Sequence, residues 1–202
     1  MIIKPGVVVT IRHYSMLNVF KGIVQNVFDN IVTLSLSKEV SVTRFLEGDP
    51  IVVAFEGHEN VKIIGGILTR LNIAEELLDF AMDVMDEEAK NRIYERCPVS
   101  LYSDFKLSDT GKKCFGLIKD ISYYGLLVLS KEDLDRGQRM DLDIFLVRDI
   151  MSIKAEVIRQ IQGTMYLEYG LKIIHKGPSV YNHVQNYVRK LQDELAVKFN
   201  RE

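Results

Sequence analysis

Gly66-Ile67-Leu68-Thr69-Arg70-Leu71, followed by Leu77-Leu78-Asp79-Phe80-Ala81-Met82, is the stretch on which the fold turns. Composition alone makes residues 74–90 a helix, because alanine, glutamate, leucine and methionine are frequent there and favour helices. An internal echo argues for a strand. Gly22-Ile23-Val24 opens a β-like unit that reaches a turn at Asp29-Asn30 and returns through Ile31-Val32-Thr33-Leu34-Ser35-Leu36. Apolar and polar residues alternate in that return from Val32 on, the period of a half-buried strand. Gly66 opens the same kind of unit, so the echo predicts a strand return at residues 77–82. The acidic stretch Asp83–Glu88 then reads as a solvated linker.

Outward from this stretch the β texture continues. Gly6-Val7-Val8-Val9-Thr10-Ile11 follows a Pro-Gly break, and Lys21–Val27 forms the first arm of the echo. Gly48-Asp49-Pro50 punctuates before Ile51-Val52-Val53-Ala54-Phe55, and Val61–Leu68 makes a further strand. Many short strands with regular turn signals point to a small β-barrel. Beyond Pro98 the expected strands are Val99–Tyr102, Phe115–Ser122, Leu126–Leu129, Met140–Val147, Ile150–Gln160 and Met165–Ile174. Met140-Asp141-Leu142-Asp143-Ile144 alternates cleanly, with its apolar residues on one side and its aspartates on the other. Gly163-Thr164 supplies a turn. These residues predict a second antiparallel barrel.

The period changes at the end of the chain. Val184, Val188, Leu191 and Leu195 are spaced 4, 3 and 4 apart, one stripe of a helix expected over about 180–198. Gly177-Pro178-Ser179 offers a break, a rigid start and an N-cap hydroxyl. The stripe is expected to pack on the barrel, since a coiled-coil dimer needs more heptads than are available. The expected fold class is therefore mainly β: two small antiparallel β-barrel domains and a C-terminal α-helix. The expected boundaries are an N-terminal domain at 1–85, a linker at 86–96 and a second barrel with its helix at 97–202.

Composition narrows the chemistry. The chain has 202 residues and a formal net charge of −2, so the broad basic groove of a DNA- or RNA-binding domain is not expected. No apolar run approaches the roughly 18 residues of a membrane helix. The start lacks the basic region and long apolar stretch of a secretory signal. Cys97 and Cys114 make no disulfide framework, so a reducing cytoplasm is the expected compartment.

Two clusters carry the candidate chemistry. The first is Arg92-Ile93-Tyr94-Glu95-Arg96, and the second is Asp120-Ile121-Ser122-Tyr123-Tyr124-Gly125. Arginine forks grip phosphate oxygens and the O6/N7 edge of guanine. A carboxylate accepts from guanine N–H groups, and a hydroxyl donates or accepts. Arg92 and Arg96 share one side of either a helix or a strand. They nearly touch in a helix and lie about 13 Å apart if extended. The plain alternative is a surface arginine pair near acidic linker residues. In the second cluster, strict alternation puts Asp120 and Ser122 on one face and Leu117 and Ile121 on the other, with Ile118 and Lys119 on the wrong faces. Gly125 permits positive φ or close approach of a ligand to the backbone. The plain alternative there is a strand ending in an ordinary turn.

Taken together, the clusters resemble the PilZ family of bacterial cyclic di-GMP receptors. The family pattern is R-x-x-x-R followed by [D/N]-x-S-x-x-G. Arg92 and Arg96 match the first part, and Asp120, Ser122 and Gly125 match the second. The resemblance runs over roughly residues 88–200. The first 85 or so residues look like the split-barrel domain that precedes PilZ in flagellar-brake proteins. Asn91 departs from the pattern, since many relatives carry an arginine there. That implies lower affinity or a different number of stacked ligand molecules.

The resemblance implies a non-enzymatic cyclic di-GMP receptor with an N-terminal split barrel and a C-terminal PilZ barrel. Arg92 and Arg96 would contact phosphates and guanine edges, Asp120 guanine N–H groups, Ser122 a further hydrogen bond, and Gly125 would let the ligand approach. It further implies a change in inter-domain arrangement on binding and a protein partner such as a flagellar motor component, with cytoplasmic localisation and recruitment to the motor. The alternatives are a PilZ-like protein adaptor that binds no nucleotide and a flavin-binding split-barrel enzyme. No catalytic residue, metal ligand or cofactor is expected. His13, His58, His175 and His183 lack metal-ligand spacing, and no serine, histidine and carboxylate grouping argues for hydrolysis. Cys97 and Cys114 read as small buried hydrophobes. Gly65-Gly66 reads as a bulge or the start of a strand, and Tyr123-Tyr124 as either an exposed contact or barrel packing.

Overall fold

In a computed structural model the chain forms two closed six-stranded antiparallel barrels and one helix. The structure describes residues 3–57, 61–83, 96–163, 165–175 and 177–197, with side chains in the helix described for 181–191. The chain divides into two compact units, with the break after Ile93 and the second unit ending at Glu194. Residues 84–95, Asn91 and Arg92 among them, lie outside the described residues, as do His58 and Thr164.

The first barrel is built from β1 (Val8–Arg12), β2 (Phe20–Phe28), β3 (Ile31–Leu36), β4 (Pro50–Glu56), β5 (Val61–Asn72) and β6 (Leu77–Met82). Its strands close in the order β1-β2-β3-β6-β5-β4. Leu77–Met82 is a strand, as the echo predicts, and it is hydrogen-bonded on both sides. Leu78 pairs with Leu34 on β3 and with Leu71 on β5. Alternation within it buries Leu78 and Phe80, while Asp79 accepts a hydrogen bond from Thr33 Oγ1 at 2.6 Å. Burying Phe80 and Leu78 favours the fold by about 1.5–3 kcal/mol each. Helix propensity differs by only about 0.7 kcal/mol per ordinary residue, so tertiary packing decides this segment.

The echo is physical. β2 carries a register shift between Val24 and Asn26, two and four residues after Gly22. β5 carries one between Leu68 and Arg70, two and four residues after Gly66. Each strand then turns through a residue of positive φ, Asp29 (52°) and Glu76 (54°). Gly66 is required by close approach, because a Cβ there would stand 2.3 Å from the carbonyl oxygen of Ala81.

The second barrel comprises β7 (Cys97–Leu107), β8 (Lys113–Ile121), β9 (Gly125–Ser130), β10 (Arg139–Phe145), β11 (Ile150–Ile161) and β12 (Leu167–Ile174), followed by α1 (Pro178–Val197). The order around it is β10-β11-β12-β9-β8-β7. Met140, Leu142 and Ile144 point into the core and Asp141 and Asp143 out, as their alternation predicts. Val184, Val188 and Leu191 of α1 are buried in the same apolar cluster as the barrel interior. These three positions of the stripe are therefore covered by their own barrel.

Strict alternation fails along β8, and the structure corrects the expectation there. Ile118 and Ile121 both join the apolar cluster of the barrel interior, whereas Leu117, buried at 3% exposure, lies outside that cluster. Ile118 pairs with Val128 and Asp120 with Leu127, so Lys119 is an extra residue in β8, a β-bulge. A bulge inserts one residue and resets the parity of everything after it. Leu117 and Ile121 thus do not share a face.

Candidate functional site

The ends of β7 and β8 position the second cluster and what remains describable of the first. Pro98 pairs with Asp120 and Cys97 with Ile121, so Arg96, one residue before β7, stands beside the end of β8. Arg96 Nη1 donates to Asp120 Oδ2 at 3.2 Å and lies 3.4 Å from Oδ1. The two side chains are 25% and 18% exposed, so the pair is half-buried and open to an incoming ligand. Among the described residues, Arg96 Nε and Nη2 donate to no one, which leaves most of the guanidinium fork available.

Beyond Asp120 the β8–β9 turn closes on itself. Ser122 N donates to the Gly125 carbonyl at 2.8 Å. The Ser122 hydroxyl donates to the same carbonyl and accepts from Gly125 N, each at 3.2 Å. Ser122 is buried, so its hydroxyl shapes the turn. Gly125 does not adopt positive φ; a Cβ there would stand 2.9 Å from the Leu171 carbonyl oxygen. Its small size lets β9 lie against β12. The sequence thus brings Arg96, Asp120, Ser122 and Gly125 to one end of the barrel, and Arg92 lies outside the described residues.

The tyrosines between Ser122 and Gly125 divide the two roles open to them. Tyr123 packs on the barrel core. Tyr124 is 39% exposed and joins a ring cluster with His175 and Tyr181, at centroid distances of 5.5 and 6.2 Å. His175 Nε2 lies 3.0 Å from the Tyr123 carbonyl. A carbonyl only accepts, so this nitrogen carries the proton. His175 Nδ1 is buried without a hydrogen-bond partner among the described residues.

This turn and ion pair lie within a recognised stretch. A comparison with protein families matches residues 90–190 to the PilZ domain, half of the chain. The chain belongs to the PilZ domain family. No curated protein matches its sequence. Among solved structures it is similar to the K. pneumonia MrkH–c-di-GMP complex at 13% identity and a TM-score of 0.47, over 94% of this chain and 88% of that one. It is also similar to the Bacillus subtilis inhibitor of motility MotI/DgrA, at 14% identity and a TM-score of 0.42 over 95% and 99%. A third likeness is to Escherichia coli YcgR in complex with c-di-GMP, at 12% identity and a TM-score of 0.45 over 94% and 85%. Arg96 and the Asp120–Gly125 turn lie within the matched residues.

Outside the PilZ domain the structure assembles a group that the sequence did not disclose. His13 Nε2 lies 3.1 Å from Asp49 Oδ2, and both side chains are fully buried. His13 Nδ1 lies 2.8 Å from Ser15 Oγ. This is a serine, histidine and carboxylate grouping, and its connections mark it as a clasp. Nδ1 also accepts from the Ser15 backbone N–H at 3.3 Å. Asp49 accepts from Tyr14 Oη at 3.1 Å and Leu46 N at 2.9 Å. The group ties the end of β1 to the turn before β4. Among the described residues no three His, Cys, Asp or Glu side chains are grouped to hold a metal, and no helix is long and apolar enough to cross a membrane. Cys97 and Cys114 are both buried.

Proposed function

We propose that this PilZ protein is a non-enzymatic cyclic di-GMP receptor. The observation that carries the reading is the Arg96–Asp120 pair beside the Ser122–Gly125 turn, in a chain of this family. The ligand carries two phosphates and two guanines. Arg96, already aligned by Asp120, offers its unpaired nitrogens to a phosphate or to guanine O6/N7. Asp120 accepts from guanine N–H groups. Ser122 and Gly125 hold the turn that presents them and supply polar contact at close range. Arg92 adds a second fork from the segment before β7.

The structural consequence follows from where these residues sit in the chain. Arg92 and Arg96 belong to the linker proposed at 86–96, between domains 1–85 and 97–202. A ligand bridging the linker and β8 fastens that segment to the second barrel and changes the inter-domain arrangement. The change is limited by the ligand's differential affinity for the two states. A protein partner, such as a flagellar motor component met in the cytoplasm, reads the new arrangement and alters motility or a related surface behaviour.

A thermal-shift titration tests the binding reading. Cyclic di-GMP at about a hundred times its Kd stabilises a receptor by about 2.7 kcal/mol. GMP at the same concentration produces a much smaller shift, and Arg96→Ala loses most of the response. A flat wild-type response rejects the receptor reading and favours a PilZ-like protein adaptor. Small-angle scattering with saturating ligand tests the rearrangement separately.

A further inference from the structure

The outer face of β8, β7 and β10 carries aromatic rings in the open. Tyr102 stacks on Phe115, with centroids 6.3 Å apart and planes 13° from parallel, and meets Phe145 at 5.6 Å. Phe115 is 45% exposed and Phe145 is 39% exposed. Ile150, paired with Phe145 on β11, extends the apolar row. An apolar row of this kind on a polar surface marks a contact site.

The charges beside the rings say what fits. Asp104 on β7 stands directly opposite Asp143 on β10. Like charges facing each other across strands oppose the pairing and favour a cation between them. Tyr102 Oη donates to Asp104 Oδ1 at 2.7 Å, and Ser152 Oγ donates to Asp143 Oδ1 at 2.5 Å. The Oδ2 atoms of both aspartates have no partner among the described residues. One row away, Asp141 is neutralised by Lys154. A cleft of about 510 Å³ lies over Tyr102, Phe115, Asp104 and Asp143, and Lys106, Lys113 and Asp141 line it as well.

We propose that this face docks a protein partner through an arginine side chain. The guanidinium bridges the open oxygens of Asp104 and Asp143, and its plane lies on the Tyr102 and Phe115 rings. Apolar residues next to that arginine rest on Phe145 and Ile150. Arginine suits the site better than lysine, because one planar fork serves two carboxylates and stacks on a ring.

The test uses the full chain, isotope-labelled and without nucleotide, so its outcome is independent of the receptor reading. The probe is a capped Leu-Arg-Leu peptide, with Leu-citrulline-Leu as its uncharged match. The expected result is saturable NMR shifts at Asp104, Phe115 and Asp143, with citrulline binding at least fivefold more weakly. Asp104→Asn and Asp143→Asn each weaken arginine binding fivefold or more with the melting temperature unchanged. Phe115→Ser does the same through loss of stacking, and stands in if an aspartate variant fails to fold. Equal binding of the two peptides, or shifts confined to other surfaces, overturns the proposal. Self-association that Phe115→Ser abolishes also overturns it, since a second copy of the chain would then be the occupant.

Discussion

Arg96 Nη1 lies 3.2 Å from Asp120 Oδ2, so two residues 24 positions apart in the sequence meet as an ion pair. The contact joins the residue preceding β7 to the penultimate residue of β8. It is a half-exposed ion pair, a kind worth about 1 kcal/mol or less to folding. Its larger effect is on binding, because it orients a fork whose remaining nitrogens are available.

Arg96→Ala and Asp120→Ala are therefore expected to separate stability from affinity. Each should lower unfolding free energy by about 1 kcal/mol or less in a urea titration. Each should weaken cyclic di-GMP about ten- to hundredfold by calorimetry, the size of a lost hydrogen bond to a charged group. A large stability loss with unchanged affinity would show that the pair is architectural only.

The Ser122–Gly125 turn predicts the opposite balance. Ser122→Ala removes the hydroxyl's bonds to the Gly125 carbonyl and amide and should cost about 1–3 kcal/mol, because these groups are then left half-satisfied in a partly buried turn. Gly125→Ala drives a Cβ to within 2.9 Å of the Leu171 carbonyl and should cost about 1–3 kcal/mol through strain between β9 and β12. Chemical denaturation reads both losses, and both variants should bind ligand more weakly because the turn that positions Asp120 is deformed. If Gly125→Ala matches the wild type in both assays, the tight β9–β12 approach is not required.

In the first barrel the buried His13–Asp49 pair makes a separable prediction. Asp49→Ala leaves His13 Nε2 and Leu46 N without their acceptor in a fully buried site and should destabilise by about 1–3 kcal/mol for each group left unsatisfied. Ser15→Ala removes one half-exposed hydroxyl contact and should cost about 0.5–1.5 kcal/mol. Thermal unfolding monitored by circular dichroism distinguishes the two. Equal small losses would mean that Asp49 is hydrated and the clasp is loose.

Period-2 alternation made most of this fold legible. Ile31–Leu36 and Met140–Ile144 show their faces directly, and the echo of Gly22 in Gly66 outweighed helix propensity at Leu77–Met82. The bulge at Lys119 left a trace as well. Ile118 and Lys119 fell on the wrong faces because a strand with one extra residue has two parities, and the misfit was the signal. The candidate site was legible only as spacing. Arg96 and Asp120 are brought together by β7–β8 register, which carries its own irregularity between Pro98 and Leu101. His13 and Asp49 were illegible for the same reason on a larger scale, since barrel closure alone brings residues 36 positions apart into contact. The Asp104–Asp143 opposition likewise exists only in the β7–β10 register.

Alkaline pH should expose the buried acids of the second barrel. Burial pushes the Cys114 thiol above its ordinary value of 9.0, and Glu132 adds to the effect. Burial likewise raises the Tyr169 phenol above 10.0. For both groups the folded chain holds a proton that the unfolded chain has released, so the folded state binds more protons over that range. Stability then falls as pH rises. The contribution is complete below about pH 9, declines first through Cys114 and then through Tyr169, and is lost above the folded values. Urea midpoints should thus be level across neutral pH and drop steadily above pH 9. Cys114→Ser, which does not ionise there, should delay the drop by removing its first component. The native Cys114 thiol should also react slowly with a disulfide reagent at pH 8 and react fully once the chain is unfolded. Rapid native labelling of Cys114, with a midpoint that stays level to pH 10.5, would show that water reaches the thiol and that its burial contributes nothing.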